Sequence, residues 1–169
     1  IDAQGPELRF VEGSQDGVAW NTLVTVAGNT YSVTEHEIAP IEARYFKLNV
    51  TKANSGQDNT AKIYEFEILH ETSLLTGLPG VTVSADSIYT TFRSEKVIDG
   101  KWAVEDTDEW VSNGDSPNHW VAIDLQQPYP ANKVVIRHSD GLRTVDFQIQ
   151  GSQDGQAWTD LDVVTGNTL

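Results

Sequence analysis

The sequence predicts an all-β protein built from short antiparallel strands, a sandwich or a barrel. Two observations predict it. Apolar and polar residues alternate with period two in several separate segments, and Gly-containing turn signals fall between those segments at short, regular intervals. No window shows a sustained helical period. The first strand is expected where Phe46, Leu48 and Val50 alternate with Lys47, Asn49 and Thr51. The second follows where Tyr64, Phe66 and Ile68 alternate with Glu65 and Glu67, which places the three apolar residues inward. Val121, Ile123 and Leu125 mark a third strand, and Phe147 and Ile149 a fourth. Between them lie Asp16-Gly17, Gly28-Asn29, Ser55-Gly56, Asp99-Gly100, Asn113-Gly114, Asp140-Gly141 and Asp154-Gly155.

Composition narrows the function. The 169 residues suit a single domain. Eleven Lys plus Arg against 25 Asp plus Glu give a net charge of −14. Such a chain has no basic surface to release counterions from nucleic acid, and no Lys/Arg cluster for an anionic membrane. Without cysteine there is no disulfide, no Cys-ligated zinc and no thiol catalysis. No apolar run reaches the roughly 20 residues of a membrane helix. Because the chain also lacks Met, it is expected to begin inside a longer precursor, as a soluble, acidic, globular piece of something larger.

The strongest feature is a repeat. Gly13-Ser14-Gln15-Asp16-Gly17, with Ala19-Trp20, Leu23, Val26 and Gly28-Asn29-Thr30 behind it, recurs 138 residues later as Gly151-Ser152-Gln153-Asp154-Gly155, Ala157-Trp158, Leu161, Val164 and Gly166-Asn167-Thr168. That spacing is too long for a solenoid but suits one module of a tandem array. Two copies of one strand pair cannot fill the same place in a sheet. At the same offset Arg9 stands where Phe147 does, and Leu8 and Phe10 fall on the opposite face. The second copy is therefore expected to fill the sandwich, and the first to be displaced or exchanged with a neighbouring molecule.

These residues carry a family resemblance. Trp110, Trp120 to Leu125 and Phe147 to Trp158 are similar to the first two thirds of a discoidin (factor V/VIII type C) domain. Ala43 to Thr51 and Ala61 to Ile68 are similar to its last third. The branch most resembled is the family 32 carbohydrate-binding modules of secreted bacterial glycoside hydrolases. The resemblance covers about 11–70 and 81–169, and the carboxy-terminal third comes first. It implies one discoidin-like antiparallel jelly-roll β-sandwich over 1–169, circularly permuted. Residues 31–70 would be the last third, 71–80 the connection and 81–169 the first two thirds, with 11–30 duplicating 149–168. Joining of old termini in this way is tolerated where they meet at the surface.

Chemistry concentrates in the acidic loop from Lys96 to Trp110. Asp99, Asp106 and Asp108 in a turn opened by Gly100 supply the hard oxygens that calcium favours, although a solvated acidic loop reads the same way. The resemblance implies a structural calcium held by Asp99 and Glu65 side chains and by Lys96 and Tyr64 carbonyls, with Asp108 or Asp106 completing the set. Lys101 stands where the family commonly has Asn or Asp. An enzyme is not expected: no carboxylate pair is singled out, and His36, His70, His119 and His138 show no ligand spacing.

Sugar recognition needs an aromatic platform and planar hydrogen-bonding groups, because a pyranose has an apolar face and equatorial hydroxyls. The resemblance places the sugar on loops at one end of the sandwich, here carrying Tyr89, Trp102, Asn113, His138, Arg143 and the 54–60 loop. Trp102 has no strand pattern to explain it, although packing under the loop is the alternative. His138 is in register with Val134 and Ile136, which reads equally as a buried strand end, and Arg143 could simply neutralise Asp140 or Asp146. Trp20, Trp110, Trp120 and Trp158 are expected to be structural. The 138–144 loop has Arg143 but no Asn, a departure from the galactose-binding pattern. The expected function is a non-catalytic module that tethers a secreted, extracellular bacterial hydrolase to a polysaccharide. A cationic glycan such as chitosan would suit its acidity. A structural spacer, or a protein- or lipid-binding discoidin domain, is the alternative.

Overall fold

The computed structural model describes residues 25–27, 32–52, 59–102, 107–116, 118–139 and 144–165. Its elements are strands β1 (Thr25–Ala27), β2 (Val33–Lys52), β3 (Lys62–His70), β4 (Ser73–Leu74), β5 (Thr82–Ala85), β6 (Trp110–Val111), β7 (His119–His138), β8 (Asp146–Ser152) and β9 (Thr159–Thr165), with short 3-10 turns at Leu75–Gly77 and Ser94–Ile98. The chain is all-β, as the alternation predicts. Among the described residues no helix is long and apolar enough to cross a membrane.

Two strands of 20 residues, β2 and β7, organise the molecule. They pair antiparallel along their whole length, from Val33↔Arg137 to Val50↔His119. The ladder slips between Glu37 and Ile41 and again between Ala43 and Tyr45. Pro40 lies in the first slip, and Pro128 faces the second, alongside Gln126 at φ 72°. Proline donates nothing to a ladder and breaks its regularity, so the ribbon bends there. Beyond the bend the halves take different neighbours. The second half of β2 pairs with β8, which pairs with β9, while the first half of β7 takes β5. The second half of β7 takes β3, which in turn pairs with β4 and β6. The result is a larger layer, β9-β8-β2-β7-β5, and a smaller one, β2-β7-β3-β4, joined through the bent ribbon.

One core lies between the layers. Phe46, Leu48, Val121, Ile123, Phe147 and Ile149 from the larger layer are sealed from solvent together with Ile63, Phe66, Ile68, Val134 and Ile136 from the smaller. Phe147 bridges them: the His36 ring meets it edge-on at 5.9 Å and the His138 ring lies 5.3 Å away. Burial of each such side chain is worth roughly 1.5–3 kcal/mol.

The sequence reading needs two corrections here. Ile63, not Tyr64, enters the core at the start of β3: the β3/β7 register shifts between Ile63 and Glu65, so Tyr64 is the extra residue of a bulge. Trp110 is structural, fully buried with its indole N–H donating to the Ser87 carbonyl (2.9 Å), but Trp120 and Trp158 lie half-buried on the outer face of the larger layer, away from the core.

Residues 71–80 run from the edge of the smaller layer at β4 towards β5 at the edge of the larger, anchored by buried Leu75 and by the Glu71 N–H donating to Asn132 Oδ1 (2.8 Å). The second copy of the repeat supplies the end of β8 and the whole of β9. Of the first copy, 25–27 are described, and they lie parallel to β9 as Thr25↔Val163, Val26↔Val164 and Ala27↔Thr165, which is the 138-residue spacing of the repeat itself. Leu8, Arg9, Phe10 and Trp20 lie outside the described residues.

Candidate functional site

The 3-10 turn Ser94–Ile98 is anchored by Val97, which is fully buried, and ends at Asp99. Gly100 then adopts φ 75°, a left-handed turn that L side chains rarely take. This reversal lays the next residues onto the outer face of the smaller layer. There the Lys101 N–H donates both to Glu65 Oε1 (2.8 Å) and to Asp99 Oδ1 (3.0 Å). The bulge at Tyr64 turns Glu65 outward, beneath this loop, where it is only 2% exposed. Burial first, and the Asp99 charge second, push the Glu65 carboxyl up to about 8, against the opposing pull of the Lys101 and Gly100 N–H groups. Lys96 Nζ stands 3.3 Å from Asp99 Oδ2 and 3.8 Å from Asp108 Oδ1, and Asp108 is fully buried.

Trp102 extends this arrangement. The Arg137 guanidinium, outward on β7 opposite Glu65, lies 4.4 Å from the centre of its ring, and Arg137 Nε is 3.7 Å from Glu67. The guanidinium backs the indole while 48% of the residue stays exposed, so Trp102 is not packed under the loop.

A second group forms around Ser87. Tyr89, 51% exposed and stacked on Phe92 at 6.3 Å, donates its N–H to the Val111 carbonyl (2.7 Å). The Asn113 N–H donates to Ser87 Oγ (3.2 Å), and its amide donates to Asp115 (2.9 Å). Asp86 accepts from the Trp120 N–H (2.9 Å) and the Ser87 hydroxyl (2.9 Å) and faces His119 Nδ1 at 2.8 Å, while His119 Nε2 faces the Asn59 carbonyl at 2.8 Å. The structure thus places Tyr89 with Asn113, and Trp102 with Glu65, Asp99, Lys96 and Arg137.

His138 belongs to neither group. It is 1% exposed, its ring against Phe147 and its backbone N–H donating to the Ser32 carbonyl (2.8 Å), so it cannot touch a sugar at the surface. This corrects its place among the ligand candidates, and its register with Val134 and Ile136 is the signal that held. Arg143, Asp106 and residues 54–58 lie outside the described residues. Sequence reasoning missed Arg137. Its outward position between Ile136 and His138 was readable, but its stacking on a residue 35 positions away was not.

The donor chemistry for a hard cation is present: Glu65, Asp99 and Asp108 carry oxygens around Lys96 and Lys101, and burial penalises the charge of Glu65. Among the described residues, though, no three acidic or histidine side chains are gathered as a metal cluster. The oxygens are arranged around Lys96 Nζ and the Lys101 N–H instead.

Residues 96–169 match the family model described as the NedA-like, galactose-binding domain of the factor V/VIII type C group. The match spans the loop carrying Asp99 and Trp102, β6, β7, β8 and β9. No curated protein matches the chain.

Proposed function

We propose that the chain is a non-catalytic carbohydrate-binding module of discoidin type, tethering a secreted extracellular glycoside hydrolase to a polysaccharide. One observation carries this reading: Trp102 is a large aromatic ring held in place from behind by Arg137 and left half-exposed. An indole fixed in this way offers the apolar face of a pyranose a stacking surface at little entropic cost. The match of 96–169 to a galactose-binding-like domain supports a carbohydrate as the ligand class, and domains of this kind are typically non-catalytic.

In this reading a structural calcium, held by Glu65, Asp99 and Asp108 with the Lys96 and Tyr64 carbonyls, would neutralise the acidic loop that presents Trp102. Calcium would supply charge compensation only. Lys96 Nζ, now beside Asp99 and Asp108, would have to yield. The order of the elements reads as a circular permutation: the strands at 33–70 complete a sandwich whose family match begins only at 96. An exposed apolar pair, Ile88 (45%) and Tyr89 (51%), favours a second reading, docking of a protein partner.

Affinity electrophoresis in gels containing neutral and cationic polysaccharides tests the main reading. Trp102→Ala should abolish retardation with an unchanged thermal melt. Undiminished retardation would overturn it.

A further inference from the structure

The outer face of the larger layer carries a groove of about 470 Å³ that the loop site does not include. Its size falls within the range of small-molecule sites, about 300–1,000 Å³. The groove exists because of two small residues. Ala122, the outward residue at the middle of the β7 segment, forms the floor between Lys47 on β2 and Ser84 on β5. Gly155, at φ 74°, lets the Tyr45 ring lie on the turn after β8, where a Cβ would stand 3.2 Å from that ring.

The wall on that side is preorganised. Asp154 Oδ1 accepts the Gln156 (2.8 Å) and Ala157 (2.9 Å) N–H groups, which fixes the turn that presents Trp158. Trp158 meets Tyr45 edge-on at 6.2 Å, and the Lys47 ammonium lies 4.2 Å from its ring centre. Arg44, locked to Asp124 by two hydrogen bonds of 2.7 and 2.9 Å, lies 4.8 Å from the centre of the Tyr45 ring. Trp120 closes the groove at its other end. Rings held by such contacts lose little freedom on binding.

The lining selects a ligand class. Trp158, Tyr45 and Trp120 offer apolar ring surface, while Lys47, Asp124 and the Thr82 and Ser84 hydroxyls offer donors and acceptors in the same cleft. Arg44 is neutralised by Asp124, so there is no cation cluster for a phosphate or sulfate, and the polar lining excludes a purely apolar ligand. A compound with apolar C–H faces and many uncharged hydroxyls satisfies both halves. We propose that this groove is a second saccharide site, separate from Trp102, that takes a neutral oligosaccharide along the outer face of the larger layer. The inference does not depend on the Trp102 site.

Amide chemical-shift titration of the full chain tests it, with neutral β-1,4-linked hexasaccharides of glucose, xylose, mannose and galactose as probes. At least one probe should shift the Lys47, Ala122 and Trp158 resonances and should still do so in Trp102→Ala. Ala122→Leu, which fills the floor, should weaken that binding tenfold or more, and Trp120→Ala should do the same if Ala122→Leu folds poorly. No shift at these residues with any probe at millimolar concentration would overturn the proposal. So would loss of all binding in Trp102→Ala, or unchanged affinity in both groove variants. Binding lost only in the groove variants would leave this site standing and remove the Trp102 reading.

Discussion

Asp86 and Glu65 are two acidic residues packed among the loops of this sandwich, and the fold treats them in opposite ways. Asp86 faces three partners, the Trp120 N–H, the Ser87 hydroxyl and the His119 ring, and through His119 and the Asn59 carbonyl ties three segments together. Glu65 is more deeply buried, shares the Lys101 N–H with a second carboxylate, Asp99, and is pushed up to about 8. The first is a finished hydrogen-bond knot; the second is a buried carboxyl group whose ionisation its surroundings penalise, held beside an exposed tryptophan. The difference teaches where function is to be sought: a buried carboxyl group whose ionisation the fold penalises is a place where a bound cation would be favoured.

The knot should give the largest effect. Asp86→Ala would leave buried His119 and the Trp120 N–H without their acceptor, at a cost of about 3 kcal/mol, read from the urea midpoint; a loss under a third of that would mean the knot is ornamental. Next, saturating calcium at pH 8 should raise the melting temperature. The corresponding gain is about 2.7 kcal/mol when calcium stands a hundredfold above its Kd. Asp99→Asn should remove the response, and an identical melt in calcium and in chelator would end the metal reading.

A smaller effect is expected from Glu65→Gln without metal. The folded-state carboxyl is raised, so its stabilising effect is complete below the ordinary glutamate value near 4.5 and is lost as pH rises to about 8. The wild type should therefore melt lower at pH 8.5 than at pH 5, and the amide variant should flatten that slope; equal slopes would place the charge elsewhere. Smallest of all is Trp102→Ala, which should change stability by less than about 0.5 kcal/mol, because the ring packs on one guanidinium and is otherwise exposed. A larger loss would make Trp102 part of the scaffold.

Much of the fold was legible wherever alternation was clean. Phe46 to Val50, Val121 to Leu125 and Phe147 to Ile149 announce their inward faces. The first half of β2 was hidden because its inward residues are Thr34, His36 and Ile38, a sequence with little apolar contrast, and because Pro40 interrupts it. The bulge at Tyr64 was invisible for a different reason. A one-residue slip is decided by the partner strand, and nothing local to Tyr64-Glu65-Phe66 records it. At the site, the sequence left Trp102 open between exposure and packing under its loop, and its pairing with Arg137 depended on β7 lying beneath. The groove shows the same limit. The outward position of Trp120 was implied by the alternation of Val121 and Ile123, but its companion Trp158 sits in a turn, and only the sheet brings the two together.

The bent ribbon of β2 and β7 has a mechanical consequence. Each of these strands contributes one half to each layer, so the layers are continuous stretches of the same two backbones. Neither layer can be peeled away while the other stays intact, since pulling on β3 or on β8 loads the same central ladder. Unfolding should therefore proceed in one step, and the slowest-exchanging amides should lie on β2 and β7 in both layers at once.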